Sequence, residues 1–269
     1  MILKDFQTKE GFYAIAPFDH RGSLVESLHM DLKNPSDLEK FITLKRMFME
    51  VLSPHVSAVL TDPEYGIKTL DAKAATCALF LSLEASSYGG VQEAPIEFLP
   101  NWGVDQIKEK GAGAKLLVYF NPDSPLSAAK IEAVQAIYEE CKQKEVVFLV
   151  EPVMYKVPED EYWSTTYLSV CRRFAPLCDI LKIQYPGSLD ACKEVSTFHQ
   201  NWILLSRGVG YFKFAEVLKV AMSAGCKGYA AGRAVWQELT NYSDPAQWKN
   251  FLETTSVERL KSLNTLLHA

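Results

Sequence analysis

Asp179-Ile180-Leu181-Lys182-Ile183-Gln184-Tyr185-Pro186 reads as a short apolar strand with a lysine at its centre. Strand alternation puts Ile180, Lys182 and Gln184 on one face, and Leu181 and Ile183 on the other. A buried strand excludes an unpaired ammonium, because desolvation is costly or forces the group neutral. Neutral lysine attacks carbonyls, so a lysine aimed into a barrel interior points to Schiff-base chemistry. The alternative is an edge strand whose lysine faces water, the better reading for an isolated lysine. The surrounding pattern decides against it.

Outward from this segment, short apolar runs alternate with longer amphipathic ones. The runs predict strands over 12–18, 56–61, 77–83, 114–120, 146–150, 180–184, 202–205 and 228–231. Between them, helices are expected over 36–52, 68–76, 104–110, 127–144, 160–175, 189–198 and 212–224. Strand–helix alternation without a composition break predicts a closed (β/α)8 barrel, one domain over 1–269, with an added C-terminal helix over 245–267. The competing open, doubly wound sheet lacks support, because no Gly-x-Gly-x-x-Gly follows the first strand.

Composition agrees and narrows the class. A chain of 269 residues, 48% of them hydrophobic, is long enough for one large core. The net charge of -5, with basic residues scattered, argues against a nucleic-acid partner. No apolar run approaches the length of a membrane span, and the first residues lack the apolar stretch of a signal peptide. The six cysteines form no Cys-x-x-Cys pair and read as buried thiols of a reduced, cytoplasmic protein. A homo-oligomer is left open.

Catalytic groups of such barrels sit at the carboxyl ends of the strands. In chain order those ends carry Asp19-His20-Arg21, then Asp62-Pro63-Glu64, then Glu84. Lys115 lies within the fourth strand, Glu151 ends the fifth, and Lys182 lies within the sixth. Ser206-Arg207-Gly208-Val209 follows the seventh and Gly232-Arg233 the eighth. Chance seldom puts two lysines and a carboxylate inside three successive apolar runs.

These pieces resemble the tagatose-1,6-bisphosphate aldolases and their relatives, the sulfofructosephosphate aldolases. The resemblance spans nearly the whole chain in order. It rests on Ala16-Pro17-Phe18-Asp19-His20-Arg21-Gly22-Ser23-Leu24, Leu60-Thr61-Asp62-Pro63-Glu64-Tyr65-Gly66 and Gly113-Ala114-Lys115-Leu116-Leu117-Val118-Tyr119. It continues in Phe148-Leu149-Val150-Glu151-Pro152, Asp179-Ile180-Leu181-Lys182, Leu204-Leu205-Ser206-Arg207-Gly208-Val209 and Gly228-Tyr229-Ala230-Ala231-Gly232-Arg233. It implies a class I aldolase with Lys182 as the Schiff-base lysine, Glu151 as acid and base, and Lys115 and Asp19 as supporting groups. Three departures bear on the sugar. His20 stands where the family usually has Gln, Arg207 where it generally has a small residue, and the chain is shorter than most members.

The residues support the same chemistry on their own. Cleaving a C–C bond β to a ketone needs an electron sink, which a protonated imine supplies. Lys182 must be neutral to attack, and the ammonium of Lys115 nearby would favour that form by like-charge repulsion. Glu151, with Asp19, would move the protons. The structural alternatives are an ion pair for Glu151, a loop carboxylate bound to Arg21 for Asp19, and simple neutralisation of Glu151 by Lys115. The metal-dependent route is disfavoured, since His20, His29, His55, His199 and His268 form no ligand set. No cofactor is called for. His20 reads either as a substrate-hydroxyl ligand or as a structural group.

Phosphate is expected at the loops after strands seven and eight, on Ser206, Arg207, Gly208, Gly232 and Arg233. A second anion site would use Arg21 or Lys68. The partner is therefore a phosphorylated sugar; the resemblance implies tagatose 1,6-bisphosphate, with sulfofructose 1-phosphate or another phosphoketose as the alternative. Two other readings stand beside it: a non-catalytic barrel that senses sugar phosphates, and a lyase or isomerase using Lys182 as a base.

Overall fold

A computed structural model of the chain describes residues 2–86 and 91–268. Eight parallel strands close into a barrel in sequence order, with β8 hydrogen-bonded back to β1. They are β1 (Tyr13–Pro17), β2 (Ala58–Thr61), β3 (Ala78–Ser82), β4 (Gly113–Phe120), β5 (Phe148–Met154), β6 (Ile180–Ile183), β7 (Trp202–Leu205) and β8 (Gly228–Ala230). Helices α1 (Gly22–Ser27), α2 (Pro35–Leu52), α3 (Val104–Glu109), α4 (Ser127–Lys144), α5 (Trp163–Phe174), α6 (Leu189–Phe198), α7 (Tyr211–Ser223) and α8 (Arg233–Trp236) lie between and after them. The expected (β/α)8 barrel is the fold.

Helix α2 shows how the sequence builds the outer layer. Asn34 caps it through the Ser36 N–H, and Pro35 occupies the first turn, where its missing donor costs nothing. Phe41, Leu44, Phe48, Met49 and Leu52 recur at helical spacing and are buried against the barrel. The C-terminal segment is α9 (Pro245–Phe251), a π turn (Leu252–Ser256) and α10 (Val257–Leu266), one continuous helix as expected. Its Trp248, Leu252, Leu260 and Leu263 join the same core.

Two differences from the expected boundaries bear on the site. The helix expected over 68–76 is a 3-10 helix, Gly66–Ala72. The Asp62 carboxylate gathers the backbone N–H groups of Glu64, Tyr65 and Gly66, and the Thr69 hydroxyl bonds the Gly66 carbonyl. These local bonds favour a tight turn over an α-helix. Strand β5 runs on to Met154, so Glu151 lies inside it rather than at its end.

The barrel interior is apolar below and charged above. Tyr13, Ile15, Leu60, Phe80, Leu149, Ile180 and Ile203 fill the lower layers. Phe6, from a 3-10 turn before β1, plugs the bottom with its ring centroid 4.2 Å from that of Phe80. Gly113 makes this possible: a Cβ there would lie 2.5 Å from the Phe80 ring and 2.9 Å from Phe6. All six cysteines are free and buried. Among the described residues no helix is long and apolar enough to cross a membrane.

Candidate active site

Two residues above this apolar floor, the inward positions turn charged. Lys115 follows Gly113, Glu151 follows Leu149, and Lys182 follows Ile180, each at the next inward step of its strand. They open into a cavity of about 630 Å3 at the carboxyl ends of the strands. Asp19, His20, Arg21, Ser206, Arg207, Gly208, Gly232 and Arg233 line it with them, so the barrel gathers every expected site residue except Lys68.

Lys182 Nζ lies 2.7 Å from Glu151 Oε2, and Lys115 Nζ lies 3.5 Å from the same oxygen. Lys115 also meets Asp19 at 2.8 Å and the carboxylate of Glu84. Burial alone would drive Lys115 towards neutrality, but Asp19, Glu84 and Glu151 outweigh it and raise its pKa well above that of a free lysine. Burial likewise pushes the Asp19 carboxyl up, and Lys115, aided by Lys182, overcomes this and holds it well below the ordinary carboxylate range. Among the described residues no group of His, Cys, Asp and Glu is arranged to hold a metal ion. The carboxylates that do converge enclose an ammonium.

His20 packs edge-on to Trp236, with ring centroids 5.1 Å apart. Burial lowers its pKa to about 3; Asp19 opposes this, while Arg233, Lys45 and Lys182 reinforce it. The ring is therefore neutral, and its Nδ1, 3.8 Å from Asp19, makes no ion pair.

In the loop after β7, Arg207 and Gly208 both adopt left-handed backbone, with φ of 45° and 78°. The Arg233 guanidinium packs where a Cβ of Gly208 would sit, 2.9 Å from its Cζ. No carboxylate pairs with Arg233 among the described residues, whereas Arg207 reaches Glu159 on the loop after β5 at 3.7 Å. Arg21 lines the cavity with its terminal nitrogens committed, to Glu64 at 2.6 Å and to the Glu84 carbonyl at 2.7 Å. Lys68 is exposed beside Tyr65 and does not reach the cavity, so it drops out as an anion ligand.

The sequence reading placed Glu84 and Asp62 at strand ends without giving either a role, and it passed over Lys45. Glu84 ends an apolar strand as a lone carboxylate, the same signal that exposed Glu151. Lys45 and Asp62 form a fully buried pair at 2.9 Å beneath the β1 loop. Position 45 falls on the stripe of Phe41, Leu44, Phe48 and Leu52, where a surface lysine has no place. That misfit was legible.

A family model described as DeoC/LacD family aldolase matches residues 13–238. The chain belongs to that family. This aldolase, a lyase, is 25% identical to the tagatose 1,6-diphosphate aldolase of Staphylococcus epidermidis over 98% of this chain and 94% of that protein. It is 26% identical to the same-named protein of Staphylococcus aureus, with equal coverage. Among solved structures it resembles an archaeal fructose 1,6-bisphosphate aldolase, with a TM-score of 0.67 and 18% identity over 98% of this chain and 96% of that one. A second archaeal structure, described with its catalytic Lys covalently bound to the carbinolamine intermediate, matches with a TM-score of 0.68 and 18% identity, covering 98% and 97% of the two chains. At these identities the structural likeness speaks for the fold.

Proposed function

We propose that this aldolase cleaves a C1-phosphorylated ketose through a Schiff base on Lys182. The proposed substrate is tagatose 1,6-bisphosphate, and the products are dihydroxyacetone phosphate and a three-carbon aldehyde phosphate. The observation that carries the reading is the 2.7 Å pair of Lys182 and Glu151 in a cavity walled by Arg233, which has no carboxylate partner among the described residues.

Glu151 takes a proton from Lys182, and the freed amine attacks the C2 ketone. That proton passes to the alkoxide of the carbinolamine; a second proton, shed by its nitrogen, travels through Glu151 to the resulting hydroxyl, which leaves as water and yields the iminium. Glu151 then takes the proton of the C4 hydroxyl. The C3–C4 bond breaks, its electron pair moves into the iminium to give an enamine, and the aldehyde departs. Protonation at C3 and addition of water release dihydroxyacetone phosphate and restore the amine. Lys115 stays protonated among its three carboxylates and stabilises charge on Glu151 and Asp19.

Ser206, Gly208, Gly232 and Arg233 receive the C1 phosphate, through backbone N–H groups and a guanidinium suited to bidentate contact. Arg207 adds a second cation on the β5 side, where C4 to C6 would extend, and the names of the Staphylococcus relatives favour a bisphosphate. His20 and Arg21 complete the wall beside Asp19.

Borohydride reduction with dihydroxyacetone phosphate, read by intact mass, tests the chemistry. The wild type gives one stable adduct per chain, and Lys182→Ala gives neither adduct nor turnover while remaining folded. Turnover without an adduct would point to Lys182 as a base, and an adduct without turnover to a sensor. Comparing kcat/KM for tagatose 1,6-bisphosphate, fructose 1,6-bisphosphate and sulfofructose 1-phosphate tests the sugar. A tenfold preference for the sulfonate, about 1.4 kcal/mol, would reverse the assignment.

A further inference from the structure

We propose that Lys45 is a positioning residue for the aldol reaction: its buried ammonium pins the backbone on both sides of Asp19 and thereby fixes Asp19 and His20 in the cavity. The proposal rests on the aldolase reading of the Lys182 site.

Lys45 projects from α2 with no solvent exposure. Its Nζ meets three acceptors: Asp62 Oδ2 at 2.9 Å, the His20 carbonyl at 2.7 Å and the Phe18 carbonyl. An ammonium has three protons, so every one is used. The two carbonyls belong to the residues immediately before and after Asp19. The carbonyl preceding them, on Pro17, accepts from Trp236 Nε1 at 3.2 Å. The Phe18 N–H makes a last bond to β2, at the Leu60 carbonyl 2.8 Å away, and beyond it the bonds from Lys45 hold the course of the chain through Asp19 to His20.

With carbonyls 18 and 20 held against α2, the Asp19 side chain faces Lys115 at 2.8 Å. The His20 ring faces Trp236 and Gly232. Asp62 holds Lys45 through one oxygen and gathers the Glu64 and Tyr65 N–H groups through the other. Stability alone gives little reason for such a pair, because a buried ion pair replaced by apolar residues of similar size is often neutral or stabilising. What an apolar pair could not do is donate to the Phe18 and His20 carbonyls.

The test compares wild type with the uncharged double variant Lys45→Met with Asp62→Asn, which keeps the Asp62 cap as a carbonyl oxygen. Rates are expressed per site titrated by borohydride trapping of dihydroxyacetone phosphate, so unfolded protein is not counted. The expected result is retained trapping, KM changed by less than about threefold, and kcat per trapped site lower by about 10²-fold, as for a misplaced catalytic group. A purely structural pair would lower the number of trapped sites and leave kcat per site within about threefold of wild type, which would overturn the proposal. Lys45→Gln keeps a neutral donor for one carbonyl, and an intermediate loss of kcat is expected. Should the double variant yield too few sites, the Lys45→Gln rate decides by the same measure. A wild type that neither traps nor turns over refutes the aldolase reading instead.

Discussion

Lys115 is the residue on which the site's electrostatics turn, because Asp19, Glu84 and Glu151 all face its ammonium. Replacing Glu84 by Gln removes one negative partner and draws Lys115 towards Glu151, weakening that carboxylate as a base. Glu84→Gln is expected to lower kcat by about tenfold or more, with KM little changed, in steady-state assays. An unchanged kcat would show that Glu84 merely fills space. His20 makes a second prediction, on stability. Its pKa is lowered to about 3 in the fold, against an ordinary value of 6.5. The unfolded chain therefore binds a proton there between those values that the native state does not. Stability from the neutral ring is complete above pH 6.5 and falls as pH drops towards 3, by up to about 1.4 kcal/mol per pH unit. Urea unfolding at pH 7, 6 and 5 should show His20→Gln losing less stability on acidification than wild type. Lys182 was readable at this scale because an ammonium in an apolar strand has few explanations. Glu84 was not assigned, because its partner Lys115 lies on another strand and the register between β3 and β4 is absent from local pattern.

Elements tell a similar story about what local pattern carries. The strands could be located because barrel strands are short apolar runs, and α2 because its stripe and cap agree. The 66–72 connection escaped because its shape comes from side-chain bonds of Asp62 and Thr69 rather than from periodicity. Between strands, the contact of Phe6, Phe80 and Gly113 also depends on register. A methyl group at 113 would collide with both rings, so Gly113→Ala should destabilise the protein by about 1–3 kcal/mol. Denaturant titration measures that loss. Because the clash lies beneath the site, kcat per folded molecule should fall far less than stability. Equal losses of both would mean the floor also shapes the chemistry.

At the scale of the whole molecule, the barrel brings together residues from 19 to 233 that no local window of sequence could join. If the electron sink is the iminium on Lys182, turnover should persist in excess EDTA. A preparation that dies in chelator and revives with zinc would overturn the Schiff-base reading. The charged cluster has one more consequence. Two ammonium groups, Lys115 and Lys182, face three carboxylates, Asp19, Glu84 and Glu151, above a floor sealed by Phe6. Turning a lysine ammonium into an iminium leaves the charge at that nitrogen unchanged, and the proton lent to Glu151 comes back within the same step. The cavity thus acts as a closed proton ledger. At a pH where the ligand's phosphate is fully ionised, covalent capture of dihydroxyacetone phosphate should release the same heat in buffers of widely different ionisation enthalpy.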